Sequence, residues 1–382
     1  MTPTPSAILA NATLVLENET LKGGVVITDG KIAEIFTGST VPAGALDCEG
    51  DYLAPGLVEL HTDNLERHMS PRPGVDWPHA AAIMAHDAEF AGAGVTTLFD
   101  AMRVGSLTSG KGKYKKYARQ MADEILALRA RGALRISHYF HLRAEICLET
   151  LIEEMAEFGP EDRIGIVSLM DHTPGQRQFA DLSQMKTYLQ GKYAMSDADV
   201  GAHFELLREV KARHGEANEA AAVAKARAYG SVIASHDDTT RDHVLQSAEY
   251  GVRLAEFPTT IDAAKACHEA GISVMMGAPN LLRGGSHSGN VAASDLMDAG
   301  LLDIMSSDYA PASLLMSGVK LGQETGNMAV GIRAVTKAPA QAAKLNDRGA
   351  IAPGLRADLV RFSYTETFPR PRGVWVQGTR VA

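Results

Sequence analysis

The sequence is poor in cysteine, and its three cysteines lack the spacing of disulfide frameworks or redox motifs. Cys48, Cys147 and Cys267 are an odd number with no C-x-x-C pair, which argues against disulfides and fits a reducing cytoplasm. No uninterrupted apolar run approaches the roughly 18 residues that a membrane helix needs. The N-terminus lacks the basic start and apolar core of a secretory signal. We therefore expect a cytoplasmic protein without a membrane partner.

Positive charge is also scarce. The 37 Lys and Arg face 46 Asp and Glu, and the net charge of −9 disfavours nucleic acid as a partner. One segment departs from this balance, because the residues from Arg103 to Arg119 include several lysines and no acidic residue. Such a segment fits a polyanionic small molecule, although a solvated run of charge is the simpler alternative.

Apolar runs of strand length alternate with helical patterns after Val58, as βα repeats do. With the run that precedes them they make eight predicted strands: LAPGLVEL, VTTLFD, RISHYFHL, RIGIVSLMD, SVIASH, RLAEFP, SVMMGAP and LLDIMSS. Helices are predicted between them, over 78–92, 116–131, 144–158, 240–250, 260–270 and 290–299. Eight parallel strands with crossover helices imply an α/β fold, a (β/α)8 TIM-type barrel with functional residues at the carboxyl ends of its strands.

Both ends of the chain contain short runs in which apolar and polar residues alternate, a pattern typical of β-strands. Asp29-Gly30 is a hairpin turn signal within the N-terminal part. We predict that residues 1–54 and 349–382 form a small composite β-sandwich domain that flanks a barrel of residues 55–348. The Ala-rich stretch over about 178–230 is longer than one crossover needs, so it is predicted to be a helical insertion.

His61 and Asp63 follow the first barrel strand and are two residues apart. Because successive side chains of a strand point to opposite faces, both would project the same way, toward the barrel lumen. Imidazole nitrogen and carboxylate oxygen are good ligands for divalent cations, so a metal site is one interpretation. An ordinary polar strand end is the other.

Further polar residues fall at the same ends of other strands. His141, Arg143 and Glu145 end one strand, and His236 with Asp237 ends another. The candidate metal ligands are His61, Asp63, Glu145, His172, His236 and Asp308. These exceed the four ligands of a closed zinc site, so two ions are predicted, with Glu145 as the bridge. Asp308 is also the candidate catalytic base, its alternative role being a helix N-cap.

The residues PGLVELHTD, the strand-end histidines, the last-strand aspartate and GAIAPGLRADLVRF (349–362) together resemble the amidohydrolase superfamily. The resemblance covers nearly the whole chain and implies the barrel, the flanking β-domain and the metal. Members of that superfamily usually carry His-x-His and often a carboxylated lysine bridge. This chain has Asp63 in the second place and Glu145 where the bridge is sought.

One branch of the superfamily carries this departure. HTDNLERHMSPRPGVDWP (61–78), HLRAEI (141–146), MDHTPGQRQF (170–179), ASHDDTT (234–240), NLLRGGSHSGN (280–290) and SSDYAP (306–311) resemble the diphosphatases of the carbon–phosphorus lyase pathway. The resemblance implies hydrolysis of α-D-ribose 1-methylphosphonate 5-triphosphate to the 5-phosphate and diphosphate. Two divalent ions are then expected, zinc first, with manganese, iron or nickel as alternatives.

Cationic side chains near the strand ends suit such a substrate, because arginine forks match phosphate oxygens in bidentate fashion. The candidate phosphate or phosphonate ligands are Arg67, Arg72, Lys113, Arg143, Arg177, Arg283 and His287. Lys113 belongs to the basic segment, which we hypothesise to close over the phosphates. His287 follows Gly284 and Gly285, whose backbone could approach phosphate, although a plain turn explains the glycine pair equally well.

Two other functions stay open at this point. A cyclic amidase of the dihydroorotase or hydantoinase kind would share the fold and the metals, but would not need so many arginines. A catalytically inactive barrel that serves as an interaction scaffold would be expected to have lost ligands. The sequence does not fix an oligomeric state, so a homodimer is neither required nor excluded.

Overall fold

The computed structural model describes residues 7–72, 74–108, 116–177, 182–183, 185–186, 190, 195–286, 289–365 and 368–382. Two predicted phosphate ligands, Lys113 and His287, lie outside these ranges, as does most of 178–194. In the described part of the chain no helix is long and apolar enough to cross a membrane.

Strands from both termini form a flanking sheet and the central strands form a second one. The N-terminal strands are β1 (Ala7–Val15), β2 (Thr20–Thr28), β3 (Lys31–Thr37), β4 (Leu46–Asp47) and β5 (Tyr52–Pro55). The central strands are β6 (Leu57–Thr62), β7 (Val95–Val104), β8 (Ser137–Glu145), β9 (Ile164–Met170), β10 (Val232–His236), β11 (Leu254–Glu256), β12 (Ser273–Gly277) and β13 (Ile304–Ser306). The C-terminal strands are β14 (Leu359–Tyr364), β15 (Pro369–Val376) and β16 (Thr379–Arg380).

The central sheet is a barrel of eight parallel strands that pair in chain order from β6 to β13. This confirms the predicted (β/α)8 fold. Its interior is filled by apolar side chains from alternate strand positions, among them Val58, Phe99, Ile166 and Leu254. Because this packing fills the lumen, only the carboxyl ends of the strands leave room for chemistry.

Helices cover the outside of the barrel. They are α1 (Asn64–Met69), α2 (His79–Gly92), α3 (Ala118–Ala130), α4 (Leu151–Met155), α5 (Asp197–Tyr229), α6 (Arg241–Tyr250), α7 (Ile261–Glu269), α8 (Ala278–Arg283), α9 (Ala293–Asp298), α10 (Ser313–Glu324), α11 (Met328–Arg333) and α12 (Lys337–Ala342). Thr240 and Thr260 start α6 and α7, and each side chain accepts a hydrogen bond from a backbone N–H of the first turn.

One predicted helix begins later in the structure than in the prediction. The helix predicted over 144–158 begins only at Leu151, because β8 continues to Glu145 and places that carboxylate on the strand. Within the described residues of the predicted helical insertion, α5 has 33 residues and packs on β9 and β10, and residues 182–183, 185–186 and 190 are also helical.

The flanking sheet has the order β16-β15-β14-β5-β1-β2-β3, with β4 paired to β1. The Asp29-Gly30 turn joins β2 and β3, and both turn residues have positive φ, 51° and 75°. Side chains of β14 alternate between two cores. Val360 packs with the helices and barrel, whereas Leu359 packs with Trp375 in a smaller core. The chain passes directly from this sheet into β6, the first barrel strand.

Candidate active site

Three buried residues from different strands meet at the carboxyl end of the barrel. His61 Nδ1 lies 3.3 Å from Glu256 Oε2, and His141 Nε2 lies 3.4 Å from Glu256 Oε1. His61 Nδ1, His141 Nε2 and Glu256 Oε1 are buried without a hydrogen-bond partner among the described residues. Such atoms are costly inside a protein unless something binds them. The donor set, two imidazoles and one carboxylate, fits a divalent cation.

The charge states of this cluster also suit a cation. Burial lowers the pKa of His141 to about 4, so its imidazole is neutral and can act as a ligand. Burial opposes the charged form of Glu256, but His141 and His61 beside it hold the pKa of its carboxyl well below the usual range. The cluster therefore offers an ionised carboxylate and a neutral imidazole.

His172, His236 and Asp237 form a second group of potential ligands. His236 Nε2 lies 3.3 Å from Asp237 Oδ2, whereas its Nδ1 lies 3.0 Å from Glu256 Oε2. His236 thus stands between the two groups. Asp237 has a left-handed backbone with φ 55°, and its N–H donates to the Glu256 carbonyl at 2.9 Å. This turn directs the end of β10 toward β11.

Glu145 contacts one histidine and is not part of either group. Its Oε2 lies 2.8 Å from His172 Nδ1, and the carboxylate is buried. A carboxylate on Nδ1 fixes the orientation of an imidazole and favours the tautomer in which Nε2 is the ligating nitrogen. Glu145 therefore contacts His172 at Nδ1, and its role as a bridge between two ions stays a prediction.

Asp63 and Asp308 lie together on the β6 side of the site. β6 ends at Thr62, and Asp63 has φ −101° and ψ 12°, so the strand alternation that paired it with His61 does not reach it. Its Oδ2 lies 3.6 Å from Arg143 Nη1. Asp308 has φ 54°, and burial together with nearby Asp63 raises the pKa of its carboxyl to about 7.

Side chains close the barrel between its last and first strands. Glu59, fully buried, accepts hydrogen bonds from His61 N at 2.8 Å and Ser307 N at 2.5 Å. Ser306 Oγ lies 2.6 Å from Glu59 Oε1 and 2.8 Å from the His61 carbonyl. Thr62 Oγ1 donates to the Asp308 carbonyl at 2.6 Å. These contacts fix the position of His61 relative to Asp308.

The predicted phosphate ligands occupy different environments. Arg143 is partly buried at the site, with its side chain 17% exposed. Arg177 Nη1 donates to the His236 carbonyl at 2.9 Å and to Asp238 Oδ1 at 2.6 Å, so it supports the β10 turn. Arg67 is exposed and pairs with Glu89 at 2.8 Å. Arg72 and Arg283 are also exposed, the latter in the last turn of α8.

Sequence reasoning left His141, Asp237, Glu256 and Glu59 out of the candidate set. His141 shares a strand face with Arg143 and Glu145 at steps of two, and Glu256 ends the run RLAEFP. A rule that counts every buried carboxylate at a strand end would have found Glu256. The position of Glu59 gives no such signal, because its partners come from the opposite end of the barrel sequence.

No family model matches the chain. The chain is similar to the alpha-D-ribose 1-methylphosphonate 5-triphosphate diphosphatase of Escherichia coli (strain K12), with 43% identity over 377 residues, 98% of this chain and 100% of that protein. Among solved structures, the dihydropyrimidinase from Brevibacillus agri NCHU1002 has a TM-score of 0.63 and 13% identity, covering 98% of this chain and 95% of that one. The 5-methylcytosine deaminase from Klebsiella pneumoniae has a TM-score of 0.64 and 16% identity, covering 98% of each chain. The two solved structures show the shared fold alone.

Proposed function

Because this chain belongs to the family of the alpha-D-ribose 1-methylphosphonate 5-triphosphate diphosphatases, we propose that it hydrolyses that triphosphate to the 5-phosphate and diphosphate. It is a hydrolase with an amidohydrolase fold that acts on a phosphorylated small molecule of phosphonate catabolism. The observation that carries this function is 43% identity that extends over the whole length of the relative. The strand-end cluster of histidines and carboxylates supplies the chemistry.

Two divalent ions fit the residues at the site, and zinc suits the histidine content. One would be held by His61, His141 and Glu256, and the other by His172, His236 and Asp237. The unpartnered buried atoms of the first group support this assignment. When bound there, such ions polarise phosphoryl oxygens and acidify a water molecule. Of the three other predicted ligands, Asp63 and Asp308 lie on the rim beside Arg143 and His61, and Glu145 contacts His172.

Asp308 accepts the proton of the attacking water. Its carboxyl lies at the end of the last barrel strand and close to both His61 and Asp63. A carboxyl whose pKa is raised from its usual value is a stronger base, which suits proton transfer near neutral pH. Arg143 offsets the negative charge of the phosphates, because its guanidinium is held at the site by Asp63 and stays protonated. Glu145 orients the His172 imidazole, and Glu59 holds the backbone of His61 through its N–H.

The test is a product assay on the purified, metal-loaded protein with the ribose methylphosphonate triphosphate. Phosphorus NMR should show equal amounts of inorganic diphosphate and the 5-phosphate. Stepwise release of orthophosphate would contradict the proposed bond cleavage. Opening of dihydrouracil or hydantoin rings without diphosphate release would instead support the cyclic amidase, whose fold the chain shares.

The cysteines support a cytoplasmic location. Cys48, Cys147 and Cys267 are all buried and unpaired. Free buried thiols persist in a reducing environment, which supports a cytoplasmic enzyme. Alkylation of the unfolded protein, isolated from cells under thiol-trapping conditions, should modify all three cysteines; a disulfide would contradict this location.

A further inference from the structure

Two arginines stand side by side at the carboxyl end of the barrel, on neighbouring strands. Arg103 of β7 and Arg143 of β8 are register partners. Arg143 shares its strand face with His141 and Glu145, two residues away on either side. Phe99, four residues before Arg103, packs inside the barrel. Both arginines therefore face the same side as the metal-binding groups.

The Gly105 carbonyl, which accepts a hydrogen bond from Arg103 Nη1, and the side chain of Tyr117 set the position of Arg103. Its guanidinium carbon lies 5.5 Å from the centre of the Tyr117 ring. Tyr117 Oη accepts a hydrogen bond from Arg103 N at 2.9 Å and donates to Glu66 Oε1 at 2.8 Å. Glu66 lies in α1, which directly follows β6 and Asp63. The ring thus orients the arginine from one side, and Glu66 in turn fixes the ring.

Like charges on directly opposite strand positions destabilise a sheet. Neighbouring strands are about 4.8 Å apart, so arginines at paired positions bring like charges into the same region unless acidic groups offset them. Asp63 offsets the charge of Arg143, because its Oδ2 lies 3.6 Å from Arg143 Nη1. A charged pair maintained in this way at a strand end is suited to an anion with several oxygens, because each guanidinium can bind two of them.

We propose that Arg103 and Arg143 form an oxyanion subsite that binds one phosphorus group of the substrate, and that Tyr117 is a positioning residue for Arg103. The proposal rests on the proposed function and assigns a subsite within it. The group bound is either the diphosphate that leaves or the methylphosphonate on the ribose, since both present tetrahedral phosphorus with charged oxygens. Neither Arg103 nor Tyr117 belongs to the metal-binding groups.

The test compares Arg103→Ala, Arg103→Lys and Tyr117→Phe with Arg372→Ala, which removes an exposed arginine of the flanking sheet. Inorganic diphosphate and methylphosphonate are the probes, and each is titrated calorimetrically into the metal-loaded protein. Arg103→Ala should lower the affinity for one probe by about tenfold to a hundredfold, the range for a lost hydrogen bond to a charged group. Arg103→Lys should keep part of the affinity, because the charge remains. Arg372→Ala should bind both probes as the wild type does.

The outcomes separate the two sources of the anion. Weaker binding of diphosphate alone assigns the subsite to the leaving group, and weaker binding of methylphosphonate alone assigns it to the phosphonate. Tyr117→Phe keeps the ring and loses the hydroxyl contacts to Glu66 and to Arg103 N, so it should weaken the binding of the same probe by a smaller factor. If Arg103→Ala binds both probes as tightly as the wild type, with an unchanged melting temperature, the subsite does not exist.

The same experiment distinguishes failure of the subsite from failure of the proposed function. A wild-type protein that binds the probes through Arg103 but releases no diphosphate from the triphosphate would retain the subsite and overturn the function. A wild-type protein that releases diphosphate, with Arg103→Ala unaffected in probe binding and KM, would retain the function and overturn the subsite.

Discussion

The carboxylate of Glu59 accepts a hydrogen bond from the backbone N–H of Ser307, across the seam between the first and last strands of the barrel. The same carboxylate accepts the N–H of His61. This buried side chain, together with the hydroxyls of Ser306 and Thr62, therefore holds His61, a proposed metal ligand, near Asp308. The other seven pairs of neighbouring barrel strands are joined by backbone hydrogen bonds.

Glu59→Gln should impair the site more than its modest change in shape suggests. The amide has one acceptor oxygen, so it cannot accept from both strands and leaves a buried N–H unpaired. We expect a loss of about 1–3 kcal/mol in the free energy of unfolding, and a lower kcat. Denaturant unfolding and steady-state kinetics would measure both.

Glu34→Gln is the matched control, because Glu34 is an exposed residue of the flanking sheet. If Glu59 positions His61 relative to the last strand, Glu59→Gln should also bind metal more weakly. A loss of stability alone would not cause this in the folded protein. Normal metal affinity and normal kcat in the variant would refute a positioning role for Glu59.

His141→Ala and Glu256→Gln should each remove a ligand of the first metal group. We expect the bound metal per chain to fall toward one ion and turnover to be lost, as measured by elemental analysis and the diphosphate assay. Added metal should stabilise the chelator-treated wild type, by about 2.7 kcal/mol at a concentration 100 times the dissociation constant. The double variant should lose most of this stabilisation. Full metal content in both single variants would show that the ion lies elsewhere.

Asp308→Asn should lower kcat by about 10²- to 10⁴-fold in the metal-loaded enzyme, the range for loss of a general base. Asparagine keeps the size of the side chain, and the backbone contacts to Thr62 and Ser306 do not involve the carboxylate. The fold should therefore be unaffected, and circular dichroism provides the check. A variant with its full metal content and near-normal kcat would remove Asp308 from proton transfer.

The sequence predicts the barrel well because its signal is local. Each strand is a short apolar run, and eight of them at βα spacing leave few alternatives. His61, His172 and His236 are predicted in the same way, since a histidine at the end of such a run needs no knowledge of its neighbours. The roles of Glu145 and Glu59 could not be found like this. They depend on which side chain lies opposite on another strand.

The arginines near the strand ends also show that closeness in sequence does not determine which side chains reach the site. Arg67 and Arg72 lie close in sequence to the site, but α1 begins directly after β6 and presents Arg67 to solvent and to Glu89. Arg103 is the first residue of the basic segment, which the sequence distinguishes by its lysines. What distinguishes Arg103 is that it lies opposite Arg143 on the neighbouring strand, and this strand register cannot be read from the sequence.

Stability should fall as the pH rises from about 6.5 to about 9. His138 is fully buried between Asp100, 2.8 Å from its Nδ1, and Asp87, 3.4 Å from its Nε2. Burial lowers its pKa, but the two carboxylates outweigh this and raise it to about 9. Because an unfolded histidine titrates near 6.5, the stabilisation is complete below that pH and is lost as pH rises through 9. Calorimetric melting temperatures across this range would measure it.

His138→Gln should remove most of that slope, whereas His214→Gln on α5 should leave it unchanged. The other carboxylate oxygen of Asp100 lies 2.9 Å from His86, and burial lowers the pKa of that imidazole. Protonation of His86 is therefore unfavourable in the folded protein, so this residue lowers the free energy of unfolding as the pH falls below 6.5. An alkaline slope that persists in His138→Gln would show that another group is responsible.

Arg177→Lys distinguishes a supporting role from a phosphate contact. The arginine donates to the His236 carbonyl and to Asp238, so the structure uses its hydrogen bonds within the protein. Lysine keeps the charge but cannot span both acceptors, and the turn that carries His236 and Asp237 should loosen. We expect a kcat about tenfold lower with little change in KM, because roughly 1.4 kcal/mol corresponds to one such charged hydrogen bond. Arg143→Lys should instead raise KM, since Arg143 is the proposed phosphate ligand. If Arg177→Lys raises KM and leaves kcat unchanged, Arg177 binds phosphate as the sequence suggested, and the β10 turn does not depend on it.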